Sequence, residues 1–197
     1  MKYIKYFKEA IIMPDITEDD NTKISTFEDA VEYGKKNGYD VVMYDDFINS
    51  LSERNKETAP PKGQVPFFAL FNPNTNRPMF VFNFVNMISH MPMKEIMDDI
   101  IGHEKIHQQQ NSRRKVEFQL PDPTKMKKYF SNKDEIMAFS YSVSKELMKF
   151  SRNPKDAISN LGKSRLWNDI NRFIDDNKIL NRYKKYIYLY LVELFKK

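Results

Sequence analysis

The sequence contains no cysteine and only five glycines among its 197 residues. The absence of cysteine excludes disulfides, thiol nucleophiles and cysteine-ligated metal sites, so any metal ion must be held by histidine, aspartate or glutamate. The few glycines form no glycine-rich loop of the kind that binds phosphate groups. A catalytic site in this chain must therefore be built from carboxylates, imidazoles, hydroxyls and amines.

Long apolar runs are also absent. The longest, Tyr186 to Val192, falls far short of the roughly 20 residues that cross a membrane, so we expect no transmembrane helix. The amino-terminal segment mixes lysines with apolar residues and lacks the uninterrupted apolar core of a signal peptide. These features predict a cytoplasmic protein that is not exported.

The overall composition is that of a folded protein, with 41% hydrophobic and 30% charged residues. The formal net charge of +5 would suit an acidic or nucleic-acid partner, but the lysines are scattered along the chain rather than gathered into one basic block. A basic helical nucleic-acid-binding module therefore stays open as an alternative function. The sequence predicts no particular oligomeric state.

Three regions differ in their patterns. Residues 1–63 predict short helices and a small strand, and they end at a proline-containing break. Residues 64–150 contain aromatic strands followed by two helices, and residues 151–197 predict further helices that pack on this core. We expect one domain overall. The predicted fold class is α+β, mostly helical, with a small antiparallel sheet before a long helix.

The clearest strand pattern is a β-hairpin. The runs VPFFALF and MFVFNFV are rich in aromatic and β-branched residues, and the turn-forming residues NPNTNRP separate them. A further short strand is predicted from Asp40 to Tyr44. The helical spacing of apolar residues predicts a long helix from Met93 to Arg113. Ser25 and Ser131 stand where their side chains would cap an earlier and a later helix.

The long helix carries the sequence His103-Glu104-Lys105-Ile106-His107, an HExxH motif. On a helix the two histidines are only about 40° apart, so both imidazoles can bind one metal ion, whereas Glu104 lies about 100° from His103 and beside the metal. From there its carboxylate can act as a general base on water. A catalytic zinc site normally has three protein ligands, and Glu135, on a predicted downstream helix, is the candidate for the third.

This motif and the downstream Asp134-Glu135-Ile136-Met137-Ala138 resemble the gluzincin branch of zinc metallopeptidases, over about residues 64–150. The resemblance implies a zinc-dependent enzyme that hydrolyses peptide bonds in a peptide or protein substrate. It implies His103, His107 and Glu135 as ligands of Zn²⁺, and Glu104 as the general base for a metal-activated water. It also implies an antiparallel edge strand that binds an extended peptide, and Met79 to Val85 occupies that place.

The sequence departs from the gluzincin pattern in its polar residues. Lys105 puts a charge between the histidines, and Gln108 to Gln110 follow where apolar residues are usual, which predicts an unusually solvated helix. Phe139 stands where some gluzincins have an aspartate that supports a histidine, so this support must come from another carboxylate or from a backbone carbonyl. These departures keep open a structural or assembly protein that retains a zincin-like fold without catalysis.

The size of the chain and its motif pair are also similar to those of small zincin-like proteins encoded by tailed phages. That similarity implies a location in the host cytoplasm or in the virion. His90, the third histidine of the sequence, is expected to be an ordinary loop or helix-start residue outside the metal site.

Overall fold

The computed structural model describes residues 22–51, 56, 59, 61–63, 65–72, 75–113 and 125–196. These residues form two compact units, a first within residues 15–120 and a second within residues 121–197. The predicted fold class is confirmed, because the protein is a mostly helical α+β protein with a small three-stranded sheet that precedes a long helix. The division into regions at residues 63 and 150 stays a prediction.

The first unit combines the sheet with helices. Its described elements are α1 (Phe27–Lys36), β1 (Asp40–Met43), α2 (Tyr44–Ser50), β2 (Phe67–Asn72), β3 (Arg77–Phe82), a 3₁₀ helix (Val85–His90) and α3 (Met93–Arg113). The hairpin is confirmed, since β2 and β3 pair in antiparallel orientation. The predicted long helix is confirmed at both ends as α3. β1 pairs in parallel with β3, so the sheet is mixed rather than antiparallel.

The prediction that Met79 to Val85 forms an edge strand is wrong. The strand order is β1-β3-β2, so β3 lies in the middle of the sheet with Asp40 of β1 opposite Met79. The backbone donors and acceptors of β3 pair with strands on both sides, and a peptide cannot add to it as a further strand. The strand also ends at Phe82, and Val85 already begins the 3₁₀ helix.

Side chains of the sheet alternate between two apolar cores. Phe80 and Phe82 pack with Phe67 in the core that also contains residues of α1 and α3, and the rings of Phe67 and Phe80 stack with their centroids 5.4 Å apart. Met79 and Val81 point to the opposite face and pack with residues of α2. The sheet therefore holds α3, which carries the HExxH motif, along one of its faces.

The second unit is helical. Its described elements are α4 (Met126–Ser131), α5 (Lys133–Met148), α6 (Pro154–Ser159), a second 3₁₀ helix (Leu161–Lys163), α7 (Arg165–Phe173) and α8 (Asn177–Leu194). The hydroxyls of Ser140 and Ser144 donate within α5 to the carbonyls of Ile136 and Ser140, at 2.6 and 2.7 Å. They also lie 3.4 and 3.1 Å from the backbone carbonyls of Tyr183 and Ile187 on α8. These small side chains let α5 and α8 pack closely. Within the described ranges, no helix has the length and hydropathy needed to cross a membrane.

Two helices are capped one residue later than the sequence predicts. Thr26, rather than Ser25, caps α1, because its hydroxyl accepts from the backbone of Asp29 while the Asp29 carboxylate accepts from the backbone of Thr26. Asn132, rather than Ser131, caps α5, and the Ser131 hydroxyl donates to a carbonyl of the preceding helix. Both positions offer two neighbouring residues with capping side chains, so the pattern alone does not decide between them.

Buried tyrosines in the second unit predict a loss of stability at alkaline pH. Burial raises the pKa of Tyr183 and of Tyr190 well above the usual value near 10, and the nearby negative charge of Glu135 also raises that of Tyr183. Above about pH 10 the unfolded chain therefore loses phenolic protons that the folded chain keeps. Stability is fully present below that pH and should fall by about 1.4 kcal/mol per pH unit for each tyrosine above it.

Denaturant unfolding measured between about pH 9 and about pH 11 checks this expectation. In Tyr183→Phe the fall of the free energy of unfolding with pH should become shallower by the contribution of one tyrosine. Tyr188→Phe is the matched control on the same helix, because Tyr188 is 43% exposed, and it should keep the wild-type slope. If the free energy of unfolding fell equally steeply with pH in the two variants, the raised pKa of Tyr183 would be contradicted.

Candidate metal centre

The two histidines of the motif lie on one face of α3, as their spacing predicts. Nε2 of His103 and Nε2 of His107 are 3.2 Å apart, and the two rings meet edge to face with their centroids 5.0 Å apart. Two nitrogens bound to one tetrahedral zinc ion are about 3.3 Å apart, given Zn–N bonds of about 2.0 to 2.1 Å. The two imidazoles therefore already have the separation that one shared ion requires.

Glu135 occupies the first turn of α5. The side chain of the N-cap residue Asn132 accepts from the backbone of Asp134, and the positive end of the helix dipole favours a carboxylate at this place. A nitrogen from each of His103 and His107 and a carboxylate oxygen of Glu135 all lie within 4.8 Å of one another. The structure thus brings together the three residues predicted as metal ligands, and this group could hold a metal ion.

The kind of ligand atoms in this group limits which metal ions it can hold. Two imidazole nitrogens and one carboxylate oxygen match the three protein ligands found in catalytic zinc sites. Other first-row divalent ions also accept nitrogen and oxygen ligands, so the geometry defines a metal site without defining its ion. Zinc is one of the ions that this group fits.

Gln110 is a contact of the site that the sequence analysis did not assign. Its side-chain oxygen Oε1 lies 2.9 Å from Nδ1 of His107, and both side chains are buried. Residues three apart on a helix are neighbours on its surface, so the spacing from His107 to Gln110 was the available signal. A side-chain amide therefore contacts Nδ1 of this histidine, and support by a carboxylate or a backbone carbonyl stays a prediction.

The polar residues of α3 that follow the first histidine of the motif, from Lys105 to Gln110, are buried or half-buried. Lys105 is only 7% exposed. Gln108 donates to the backbone carbonyl of Asn76 at 2.8 Å, and Asn111 donates to the Asn76 side chain at 3.0 Å. Asn76 lies in the hairpin turn with a positive φ of 54°. The expectation of an unusually solvated helix is wrong, because these residues attach the turn between β2 and β3 to α3.

Phe139 and His90 take no part in the group of ligands. Phe139, one turn after Glu135, packs its ring against that of Phe130 with the centroids 4.9 Å apart, and it belongs to the apolar core of the second unit. His90 lies at the exposed end of the first 3₁₀ helix, as expected of an ordinary residue. The four motif residues His103, Glu104, His107 and Glu135 are all between 7% and 9% exposed.

Comparison with known proteins adds no assignment: no family model, no curated protein and no solved structure matches the chain. The class of the protein therefore rests on its own geometry. It is an α+β protein whose helices carry a buried group of two histidines and one glutamate that could bind a metal ion.

Proposed function

We propose that the protein is a zinc-dependent peptidase in which His103, His107 and Glu135 bind the ion and Glu104 is the general base. The observation that supports this most strongly is the proximity of the three ligand atoms, all within 4.8 Å of one another. Glu104 follows His103 directly on α3, so its carboxylate projects about 100° away from the histidine, beside the ligands rather than among them. A carboxylate in this position can take a proton from a water molecule next to the ion, which hydrolysis of a peptide bond requires.

Each residue has a separate task in the proposed reaction. A zinc ion bound here would polarise the scissile carbonyl and lower the pKa of water towards about 7. The Glu104 carboxylate takes a proton from the attacking water and delivers it to the leaving amine. His103 and His107 would hold the ion through their ring nitrogens, and their Nε2 atoms face each other 3.2 Å apart. The substrate class is a peptide or protein, and strand addition to β3 plays no part because both sides of β3 are paired.

Metal content and peptide cleavage measured on the purified protein test this proposal. We expect one zinc per chain after reconstitution, together with cleavage of a peptide library that stops on chelation and returns on adding zinc. Less than one zinc per chain after reconstitution would refute the proposed ligand set. Cleavage that survives full removal of metal would place the activity outside this site.

Burial of the site favours a second candidate, a structural metal site without catalysis. A catalytic zinc site keeps one coordination position open to water and substrate, whereas a structural site is closed by protein. The low exposure of all four motif residues suits the closed type. One tightly bound zinc per chain without any peptide cleavage would favour this candidate and a role as a structural or assembly protein.

A further inference from the structure

We propose that Gln110 is a positioning residue that fixes the tautomer and orientation of His107 for metal binding. This inference rests on the proposed metal site and assigns a role to a residue outside the gluzincin resemblance. It is carried by the 2.9 Å contact between Oε1 of Gln110 and Nδ1 of His107, and by the 3.2 Å separation of the two histidine Nε2 atoms on the other side of the ring.

The chemistry of the contact determines which nitrogen of His107 is available. An amide oxygen can only accept, so Nδ1 of His107 must carry the proton that it donates to Gln110. In a neutral imidazole the other nitrogen, Nε2, then carries a lone pair, and it is Nε2 that faces His103. The contact with Gln110 therefore selects the tautomer that can bind a metal ion together with His103.

The surroundings of Gln110 hold its side chain in place. Gln110 is 7% exposed, so its amide has little room to change rotamer. Gln108 and Asn111, its neighbours on α3, are bound to Asn76 in the hairpin turn, and these bonds fix the same stretch of helix. Metal-binding histidines generally donate their second ring N–H to an acceptor that fixes the ring, and loss of that acceptor typically weakens metal binding by about 10- to 100-fold.

The neutrality of Gln110 also distinguishes this site from one supported by a carboxylate. An amide orients the ring without adding negative charge to the site. A glutamate at position 110 would keep an acceptor for Nδ1–H and add a charge that favours a bound cation. We therefore expect Gln110→Glu to bind zinc at least as tightly as the wild type.

Three variants test the role of Gln110 in a competition titration of zinc against a chromophoric chelator. Gln110→Met keeps the length of the side chain but removes the acceptor, and its zinc affinity should fall by about 10- to 100-fold. Gln110→Glu should retain the affinity. Gln109→Met, the same substitution at the neighbouring half-buried position, is the matched control and should bind zinc like the wild type. Unchanged affinity in Gln110→Met would overturn the inference.

The tautomer of His107 gives a readout that does not need metal. Imidazole proton–nitrogen correlation spectra of the metal-free protein should show His107 protonated at Nδ1 in the wild type and in Gln110→Glu, and a mixture of tautomers in Gln110→Met. Protonation at Nε2 in the wild type would mean that the Gln110 amide donates to His107, and would overturn the inference. If Gln110→Met does not fold, Gln110→Glu and the wild-type spectrum still decide the question.

Failure of this inference can be separated from failure of the proposed function. A wild-type protein that binds no zinc would refute the metal site itself, whatever the variants do. A wild type that binds one zinc with an affinity that Gln110→Met retains would leave the metal site intact and refute only the role of Gln110.

Discussion

Glu104→Gln is expected to bind zinc as tightly as the wild type and to lose peptide hydrolysis by about 100-fold or more. The amide has nearly the shape of the carboxylate, so the helix and the neighbouring histidines should keep their places. It cannot accept a proton from the attacking water, nor deliver one to the leaving amine. Binding of the metal and turnover of the substrate should therefore separate in this one variant.

The measurement pairs zinc stoichiometry with the initial rate of cleavage of the best peptide substrate. Glu95→Gln is the matched control, because Glu95 lies in the first turn of the same helix and is exposed. It should keep both zinc and activity. Loss of zinc in Glu104→Gln would make Glu104 a ligand rather than a base, and undiminished cleavage would show that another group deprotonates the water.

The parts of the fold that depend on neighbouring residues could be predicted from the sequence. The helix from Met93 to Arg113 has a run of good helix formers with apolar residues at helical spacing, and the structure gives it the predicted ends. The hairpin was evident because two β-rich runs flank a turn-forming segment. The central position of β3 in the sheet could not be predicted. Its parallel pairing with β1 joins residues that are far apart in sequence and leaves no local pattern.

Local sequence likewise predicts some residues of the candidate site and not others. His103 and His107 could be assigned because helical geometry alone places residues four apart on one face. Assigning Glu135 as the third member of the group required a resemblance, since no local pattern in the sequence links it to the two histidines. The sequence predicts Gln110 only as one polar residue of a solvated helix. Spacing identifies neighbours on a helix, but not the burial that turns a neighbour into a hydrogen-bond partner.

The largest effect on metal binding is expected from His107→Ala. Loss of a supporting second contact already weakens metal binding by about 10- to 100-fold, so loss of a ligand should weaken it by more than about 100-fold. The substitution also removes the buried contact between the His107 ring and Gln110, which should cost the metal-free protein about 1 to 3 kcal/mol. The variant should therefore be less stable than the wild type and insensitive to zinc.

Thermal unfolding at several zinc concentrations checks both parts of this expectation. A ligand that binds only the folded protein adds about 4 kcal/mol when its concentration is about 1,000 times the dissociation constant, so the Tm of the wild type should rise with zinc and fall on chelation. The Tm of His107→Ala should not respond to either treatment. His90→Ala is the matched control, because His90 is an exposed histidine outside the ligand group, and it should respond like the wild type. A zinc-dependent rise in the Tm of His107→Ala as large as that of the wild type would mean that the stabilising ion binds elsewhere in the chain.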